Sequence, residues 1–316
     1  MSAVSTASPP DLRGRLRAYV KLGKLSFYDY YLSLFVVWVA LPEPLLWEGR
    51  SWAVLALYTL GYVGVVAATV ALDDVTGIRD GSDARNYSPE SGALRDLSRK
   101  PLLSGALSVR QAELFGWGAA LWGAALWTAT LAVAPHSAPW TAVAMLLVLL
   151  SNAQYSYGLK ISYRGGQELI LVTPGLAVLL PYTLLTGEVT GLIVLETVLV
   201  GLWSLLVSAY SNINDVEGDR LAGRRNLATL CSPAGYRRVV IGFHLLEPLA
   251  VGIAIAVGAV PAWFAALALP LWAGRVAQAR AGLARGQVLE ARMLGIRLHR
   301  WGIPLLLLGN ALLLHV

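Results

Sequence analysis

Two short stretches of the sequence hold most of the groups that could carry out chemistry. The first is LDDVTGIRDGSD, residues 72–83, in which Asp73, Asp74, Asp80 and Asp83 follow an otherwise apolar segment. Carboxylates this close together repel one another unless a positive charge lies between them. This stretch therefore predicts a site for a cation.

The second stretch is SNINDVEGDRLAGRRNLA, residues 211–228. Asp215 and Asp219 are four residues apart, so on a helix their side chains lie side by side, about 5–6 Å apart at Cβ. Asn212, three residues before Asp215, is predicted on the same helix face. Mg²⁺ prefers oxygen ligands and is often shared between one or two carboxylates and substrate phosphates. The two stretches together therefore predict a magnesium-dependent site.

Basic residues near these acids favour a ligand that carries phosphate. Lys160 and Arg164 lie in one polar segment, and four more cations flank the acid stretches: Arg99, Lys100, Arg224 and Arg225. Acidic and basic side chains next to an apolar helix bundle suit a lipid-like diphosphate. Its head group would bind the metal and the cationic side chains, and its tail would lie among the helices. A sodium ion, a proton relay or a solvated loop with scattered charge are the alternative interpretations.

The composition shows which class of protein must position these residues. Charged residues make up 14% of the 316-residue chain and hydrophobic residues 56%, whereas a soluble domain has roughly 25% charged residues. Apolar runs of about twenty residues recur, which is the length that crosses a bilayer core of ~30 Å as a helix. We expect an all-α polytopic membrane protein with nine transmembrane helices around a central cavity that opens to the cytosolic side. The predicted spans are 25–46, 52–72, 111–134, 138–157, 167–187, 190–213, 238–258, 261–280 and 298–316.

The basic residues predict the orientation of this bundle. Twenty-four of the 25 lysines and arginines lie on one side of the predicted spans, and Arg50 lies on the other. Positive charge favours the cytosolic side, so the N-terminus and the polar loops are predicted in the cytosol of a protein of the cell membrane. The net charge of +6 thus reflects topology, and neither nucleic acid nor an obligatory protein partner is expected. A single cysteine, Cys231, excludes an internal disulfide.

The domain organisation follows from the same pattern. Residues 1–24 are predicted as a cytosolic tail, of which the first twelve residues are expected to be disordered. Residues 25–316 are predicted as a single transmembrane helical domain.

Three segments resemble the UbiA superfamily of intramembrane prenyltransferases, and the similarity runs in matching order along the chain. Residues 212–228 resemble the second aspartate motif of this family and the G-K-x-T-L-A that follows it. YSYGLKISYRGGQEL, residues 155–169, resembles the helix 4–5 segment of the branch that makes menaquinone-type lipids. RKPLLSG, residues 99–105, is similar to the N-R-P-L-x-S-G of the family. The resemblance implies nine helices, with aspartate motifs after the second and sixth.

The first motif departs from the family form, N-D-x-x-D with a further Asp downstream. Asp73 stands at the Asn position and Gly77 at the middle Asp, while Asp80 lies three residues beyond and Asp83 matches the downstream Asp. The resemblance implies two Mg²⁺ ions. Their expected ligands are Asp73, Asp74, Asp80, Asp83, Asp215 and Asp219.

The resemblance also implies the roles of the polar residues. Lys160 and Arg164, with the metal, would stabilise the departing pyrophosphate. The residues expected to bind diphosphate are Lys160, Arg164, Arg99, Arg224, Arg225 and Asn212. The residues expected to be catalytic are Asp74, Asp215, Asp219 and Lys160.

Loss of pyrophosphate would leave an allylic cation, which aromatic faces can stabilise. The candidates for this pocket are Tyr155, Tyr157, Trp203 and Tyr210, with Asp29 offsetting positive charge. Transfer of the prenyl group to an aromatic or other lipophilic acceptor is the expected reaction. Cyclisation of the isoprenoid to a terpene is the alternative, and a non-catalytic lipid binder or transporter is a third class.

Overall fold

The computed structural model describes residues 12–26, 28–87 and 99–316, which form helices joined by turns, with no strand among them. The helices are α1 (Leu12–Leu22), α2 (Ser33–Ala40), α3 (Glu43–Leu46), α4 (Gly49–Arg79), α5 (Ser82–Asn86), α6 (Val109–Val133), α7 (Pro139–Ala153), α8 (Gln167–Leu171), α9 (Leu176–Thr186), α10 (Gly191–Leu221), α11 (Leu227–Leu230), α12 (Pro233–Ala256), α13 (Phe264–Ala279) and α14 (Val288–Leu314).

Each predicted span overlaps one or more of these helices. Within the described ranges, five helical segments are long and apolar enough to cross a membrane: Gly49–Arg79, Val109–Val133, Gln167–Thr186, Gly191–Leu221 and Pro233–Ala256. Large apolar side chains such as Leu245, Leu249 and Ile253 on α12 are exposed, as expected of helices that face lipid. The chain is a multi-pass membrane protein, and the count of nine crossings stays a prediction.

The first predicted span is interrupted. A short 3₁₀ turn, Tyr28–Tyr31, precedes α2, and α2 ends at Ala40. Leu41 has an extended backbone, with ψ of 146°, because the ring of Pro42 disfavours helical geometry in the residue before it. The chain therefore turns at Pro42 before α3.

The N-terminal segment also contains a helix that the sequence did not predict. Leu22 of α1 is fully buried and packs with Ala71 and Val75 of α4. The disorder expected for the first twelve residues falls on residues outside the described ranges, apart from Leu12.

Glycines allow α4 and α6 to pack closely. A Cβ on Gly64 would lie 2.6 Å from the carbonyl oxygen of Ala119, and one on Gly61 would lie 2.4 Å from Cδ1 of Trp127. Small residues at such contacts let helix backbones approach in lipid, where dispersion contacts stabilise association. This contact fixes the position of the end of α4, which carries the first acid stretch.

Helix α10 runs through the centre of the bundle, packed against α9, α12 and α14. Trp203 and Tyr210 are among its largest fully buried side chains. Its first turn is capped by Thr190, whose hydroxyl accepts a hydrogen bond from the backbone N–H of Ile193, as N-cap residues do. Because α10 continues to Leu221, the second acid stretch extends from the core of the bundle.

Candidate active site

The polar ends of α4, α10 and α14 surround a cavity of about 440 Å³. Its lining mixes carboxylates and cations with a few apolar side chains. The residues that line it include Lys24, Asp73, Asp83, Arg99, Lys100, Tyr155, Gln167, Asn212, Asp215, Asp219, Arg224, Leu289, Arg292 and Met293. The two acid stretches, far apart in sequence, thus meet at one cavity.

In the first acid stretch, the ammonium of Lys100 joins two carboxylates. Its Nζ donates to Oδ1 of Asp74 at 2.7 Å and to both oxygens of Asp83 at 2.7 and 2.8 Å. Burial opposes the charge of Lys100, but the two carboxylates outweigh this effect and raise the pKa of Lys100 above its usual value. A protein cation therefore occupies the centre of this cluster, where the sequence predicts a metal ion.

Asp80 lies apart from this cluster. Its carboxylate accepts hydrogen bonds from the Tyr163 hydroxyl and, at 2.9 Å, from the backbone N–H of Ser82. Partial burial opposes its ionisation, but these two donors outweigh the burial and lower the pKa of Asp80. Asp80 is thus ionised and connects the end of α4 to the segment after α7.

Arg224, in the second acid stretch, contacts carboxylates of both stretches. One terminal nitrogen donates to Oδ1 of Asp73 at 2.9 Å, and Nε lies 3.8 Å from Oδ1 of Asp219. Burial opposes the charge of Arg224, but Asp73 outweighs it and raises the pKa of the guanidinium. The Nε–H is buried and has no hydrogen-bond partner within the described part of the chain. Because a buried donor without a partner is costly, this group is suited to an anionic ligand.

Amides hold the second acid stretch in place. Gln167 donates to Asn212 at 2.9 Å and accepts from Asn226 at 3.2 Å, and Asn226 also donates to Asp219 at 3.0 Å. Asp215 and Asp219 are i, i+4 neighbours on α10 and both line the cavity, as their spacing predicts. This network positions the Asp219 carboxylate before any ligand binds.

The fit of the site to magnesium follows from these contacts. Within the described ranges, no group of three or more His, Cys, Asp or Glu side chains could hold a metal ion. An ion at Asp215 and Asp219 would therefore take its other ligands from water and a diphosphate. Mg²⁺ binds in this way, with one or two carboxylates, retained water and substrate phosphates.

Several predicted diphosphate ligands lie outside the lining. Lys160, Arg164 and Arg225 are exposed, and the ammonium of Lys160 stacks over the ring of Tyr163 at 4.9 Å. Lys160 has a left-handed backbone, with φ of 52°, in the turn that follows α7. These three cations are on the surface, while Arg99, Asn212 and Arg224 line the cavity.

Of the aromatic residues predicted to surround an allylic cation, Tyr155 lines the cavity. The others contact polar partners elsewhere. Tyr157 donates to Glu113 at 2.9 Å, Tyr210 pairs with His244 at 2.8 Å, and Trp203 packs edge-on against His299, with ring centroids 5.6 Å apart.

Asp29 also lies away from the cavity lining. Its carboxylate accepts from Arg300 of α14 at 2.9 Å. Asp29 thus neutralises a cation of the chain itself and joins the start of the bundle to its last helix.

A second, inner cavity of about 190 Å³ shares Lys24, Asp73, Tyr155 and Leu171 with the first. Its remaining lining combines aromatic and small polar residues: Tyr30, Tyr62, Val66, Thr69, Val70, Asn152, Ile170, Thr173, Pro174 and Ser204. The shared residues place the two cavities next to each other; most of the charged side chains line the outer one, and Tyr30 and Tyr62 line the inner one.

The sequence prediction missed several residues of these cavities. The sequence uses Lys24 only for membrane orientation and assigns no role to Gln167, although Gln167 lies in the 155–169 segment that resembles the family, and Arg292 carries no motif signal. Tyr62 lies in the middle of an apolar helix, where a local pattern does not distinguish a cavity wall from a lipid face. Asn152, a polar residue at the end of the apolar run of α7, and Gln167, within the family-like segment, are the signals that the sequence offers.

Comparison with known proteins is consistent with this arrangement. A model of the UbiA prenyltransferase family matches residues 31–296, whereas no curated protein gives a significant match. Among solved structures, a digeranylgeranylglyceryl phosphate synthase is similar, with a TM-score of 0.64 at 12% identity over 95% of this chain and 99% of that one.

Two archaeal structures are also similar. The apo structure of a UbiA homolog from Aeropyrum pernix K1 has a TM-score of 0.63 at 17% identity, over 92% of this chain and 97% of that one. A UbiA homolog from Archaeoglobus fulgidus bound to DMAPP and Mg²⁺ has a TM-score of 0.59 at 15% identity, over 91% of this chain and 98% of that one. At these identities the similarity establishes the shared fold.

Proposed function

This chain belongs to the UbiA prenyltransferase family, and we propose that it ionises an isoprenoid diphosphate with the help of Mg²⁺ and transfers the prenyl group to an aromatic or other lipophilic acceptor. Three features support the proposal: a charged outer cavity, an inner cavity next to it that is lined by tyrosines, and a multi-pass helical bundle around both. The A. fulgidus homolog has been solved with DMAPP and Mg²⁺ and with GPP and Mg²⁺.

The single observation that carries the proposal is the unpartnered Nε–H of Arg224 between Asp73 and Asp219. A buried guanidinium that retains a free donor suits a phosphate oxygen, because charge-assisted hydrogen bonds of this kind are short and strong. Asn212, in the same lining, would orient the same head group. Arg99 lies at the cavity as a further cation.

Asp215 and Asp219 are the residues that would hold Mg²⁺, which supplies Lewis-acid stabilisation of the leaving pyrophosphate when bound. The role of these two carboxylates is to hold the ion, and with it the diphosphate head group, close to α10. Lys160, Arg164 and Arg225 on the surface would raise the local concentration of an anionic substrate by long-range attraction.

The inner cavity suits the reacting end of the isoprenoid and its acceptor. The rings of Tyr30, Tyr62 and Tyr155 offer faces to a developing allylic cation and exclude water that would quench it.

Asn152 and Thr173 place an amide and a hydroxyl in the same cavity. Both groups already bond within the chain: Asn152 donates to the Val148 carbonyl and to Thr173, and Thr173 donates to the Ile170 carbonyl. An acceptor that exchanged one of these bonds for its own would favour transfer over cyclisation.

We further propose that the charged cavity faces the cytosol and that the protein is in the cell membrane. The one-sided distribution of lysine and arginine supports this orientation.

The proposal is tested with detergent-purified protein, Mg²⁺ and prenyl diphosphates of several chain lengths, by measuring pyrophosphate release with and without aromatic acceptors. Release that depends on an acceptor, together with a prenylated product, is the expected result. Release without acceptor, together with a cyclic hydrocarbon, would instead establish a terpene cyclase. No release at any chain length would contradict both activities and favour a lipid binder or transporter.

A further inference from the structure

A further cavity, of about 450 Å³, lies beside the last turns of α10 and shares none of its described lining residues with the two cavities of the candidate active site. Its volume is within the range of pockets that bind small molecules. The described residues that line it are Ile213, Val216, Arg220, Ala228, Cys231, Pro233, Tyr236, Arg237, Gly282, Leu283, Gly286 and Val288. Ile213, Val216 and Arg220 each follow by one residue a polar residue of α10 that lines the charged cavity, so they occupy a neighbouring face of the same helix.

The chemistry of this lining is apolar with positive charge. Arg220 and Arg237 are the charged residues among the described residues of the lining, which include no Asp or Glu. Both side chains are exposed, and Arg220 donates to the carbonyl oxygen of Thr229 at 3.4 Å. Each guanidinium has five N–H donors, so donors remain for an anion. The cavity therefore fits a ligand with an apolar chain and an anionic head.

The walls of the cavity agree with such a ligand. Helix α12 begins at Pro233, and its first turn borders the cavity, where the helix dipole adds partial positive charge. Tyr236 donates its hydroxyl to the carbonyl oxygen of Ala209 at 3.2 Å, so this hydroxyl needs no partner in the cavity. The facing wall includes a π-helical turn, Arg280–Ala284, a geometry that is frequent at functional sites.

The surroundings of the cavity indicate that it lies at the level of the lipid head groups. Leu221, next to Arg220, is 69% exposed, and Leu230, next to Cys231, is 55% exposed. Exposed apolar side chains beside arginines are typical of segments at the membrane interface. In the proposed orientation this interface belongs to the cytosolic leaflet, which carries anionic lipids, and basic pockets between helices on that side bind their head groups.

We infer that this cavity binds an anionic phospholipid of the cytosolic leaflet, with its phosphate at Arg220 and Arg237 and an acyl chain in the apolar part. A soluble anion would use the arginines but not the apolar walls. This inference goes beyond the proposed function and does not depend on the substrate of the enzyme. The bound lipid would pack against the turns of α10 that carry Asp215 and Asp219.

The one cysteine of the sequence allows a direct test, because Cys231 lines the cavity and its rate of reaction with a maleimide reports whether the cavity is filled. Detergent-purified protein is mixed with dioleoylphosphatidylglycerol, which is anionic, or with dioleoylphosphatidylcholine, which has the same chains and no net charge. We expect the anionic lipid to slow the reaction about tenfold at about ten times its half-saturating concentration, as one site requires. The neutral lipid should slow it much less.

A second cysteine position separates binding from a general effect of micelle charge on thiols. Ala234 is exposed in the same first turn of α12 and is not among the described lining residues. Ala234→Cys in a Cys231→Ser background should react at similar rates in the two lipids. Equal slowing by the anionic lipid at both positions would overturn the inference.

The arginines are tested as a pair. Arg220→Gln with Arg237→Gln should raise the half-saturating concentration of the anionic lipid about 30-fold, since each arginine near an anionic surface contributes about fivefold. Arg225→Gln with Arg238→Gln is the matched control, because it removes two exposed arginines that are not in the described lining. Equal shifts in the two double variants would contradict the inference. If the first variant does not fold, the wild-type comparison of lipids decides.

Other occupants give different outcomes in the wild-type assay. Glycerophosphoglycerol carries the head group without acyl chains, and protection by it equal to that by the whole lipid would show an anion site and no lipid site. Equal protection by the anionic and neutral lipids would show an apolar pocket without head-group recognition. Either result would overturn the inference, and so would the absence of protection by any lipid.

Discussion

Arg224 contacts carboxylates of both acid stretches, and its surroundings show how the site is prepared for an anion. Its charge is stabilised by Asp73 on α4, while Asn226 and Gln167 hold Asp219 and Asn212 by hydrogen bonds. Fixed donors lose little conformational freedom when a ligand binds, which favours both affinity and catalysis.

Replacing Asp219 by Ala should lower the rate of pyrophosphate release by at least about 100-fold, since preorganised groups at a reacting centre contribute on that order. The reason is the loss of one of two carboxylates at the proposed ion site. Initial rates at saturating Mg²⁺ measure the effect. Glu217→Ala is the control, because Glu217 is an exposed acid on the same helix. Full activity in the Asp219→Ala protein would contradict the metal assignment.

Asn152→Leu should raise the KM for an oxygen-bearing acceptor about tenfold, which is the size of one lost hydrogen bond. The KM for the prenyl diphosphate should change little, because Asn152 lies in the inner cavity. Steady-state kinetics with each substrate varied in turn separate the two effects. Ser151→Ala, at the adjacent residue, should leave both constants unchanged, and equal effects on both substrates in Asn152→Leu would argue against an acceptor role.

Residue spacing predicted some of this chemistry and not the rest. The i, i+4 spacing of Asp215 and Asp219 places both at the cavity because it depends only on local helix geometry. The bridge from Lys100 to Asp74 depends on how a loop folds back, which spacing does not encode. The rotation of each helix decides which aromatic side chains face a cavity, so Tyr155 lines it while Trp203 and Tyr210 pack elsewhere.

At the scale of elements, helix length is what carries the acids to the cavity. The predicted spans end at residues 72 and 213, where apolar composition ends, but α4 and α10 continue to Arg79 and Leu221. Backbone hydrogen bonds extend a helix beyond the bilayer as long as no breaker intervenes. Hydropathy therefore predicted the apolar part of each helix and missed the polar turns that hold the chemistry.

The contact between α4 and α6 gives a prediction about stability. Gly64→Ala should lower the thermal midpoint, because its Cβ would lie 2.6 Å from the Ala119 carbonyl, and overpacking of this kind typically costs about 1–3 kcal/mol. Gly118→Ala is the matched control on α6, where a Cβ meets nothing within 4 Å. It should leave the midpoint unchanged or raise it. Equal midpoints in the two variants would show that this close contact does not limit stability.

At the scale of the whole molecule, the proposed orientation can be tested with the one cysteine of the sequence. Cys231 is partly exposed and lies in the segment between α11 and α12. We expect a membrane-impermeant maleimide to label it in permeabilised cells and to leave it unlabelled in intact cells. Arg50→Cys in a Cys231→Ser background is the control and should label in intact cells. Labelling of Cys231 in intact cells would show that the orientation is the opposite of the proposed one.

The class of the molecule followed from its composition, because a low content of charged residues together with recurrent apolar runs is typical of a helical membrane protein. The family followed from motif order and agrees with the match over residues 31–296. The break at Pro42 and the inner cavity did not follow from composition, because they depend on local turn geometry and on packing between distant helices.

The cavity takes its lining from nearly the whole chain, from Lys24 to Met293. Its last contributors, Leu289, Arg292 and Met293, belong to α14. During synthesis, therefore, no partly made chain contains a complete compartment, and a ribosome that stalls before the final helix releases a bundle with an open wall. Under the proposed function, a reactive carbocation would then be generated only in chains that already contain α14.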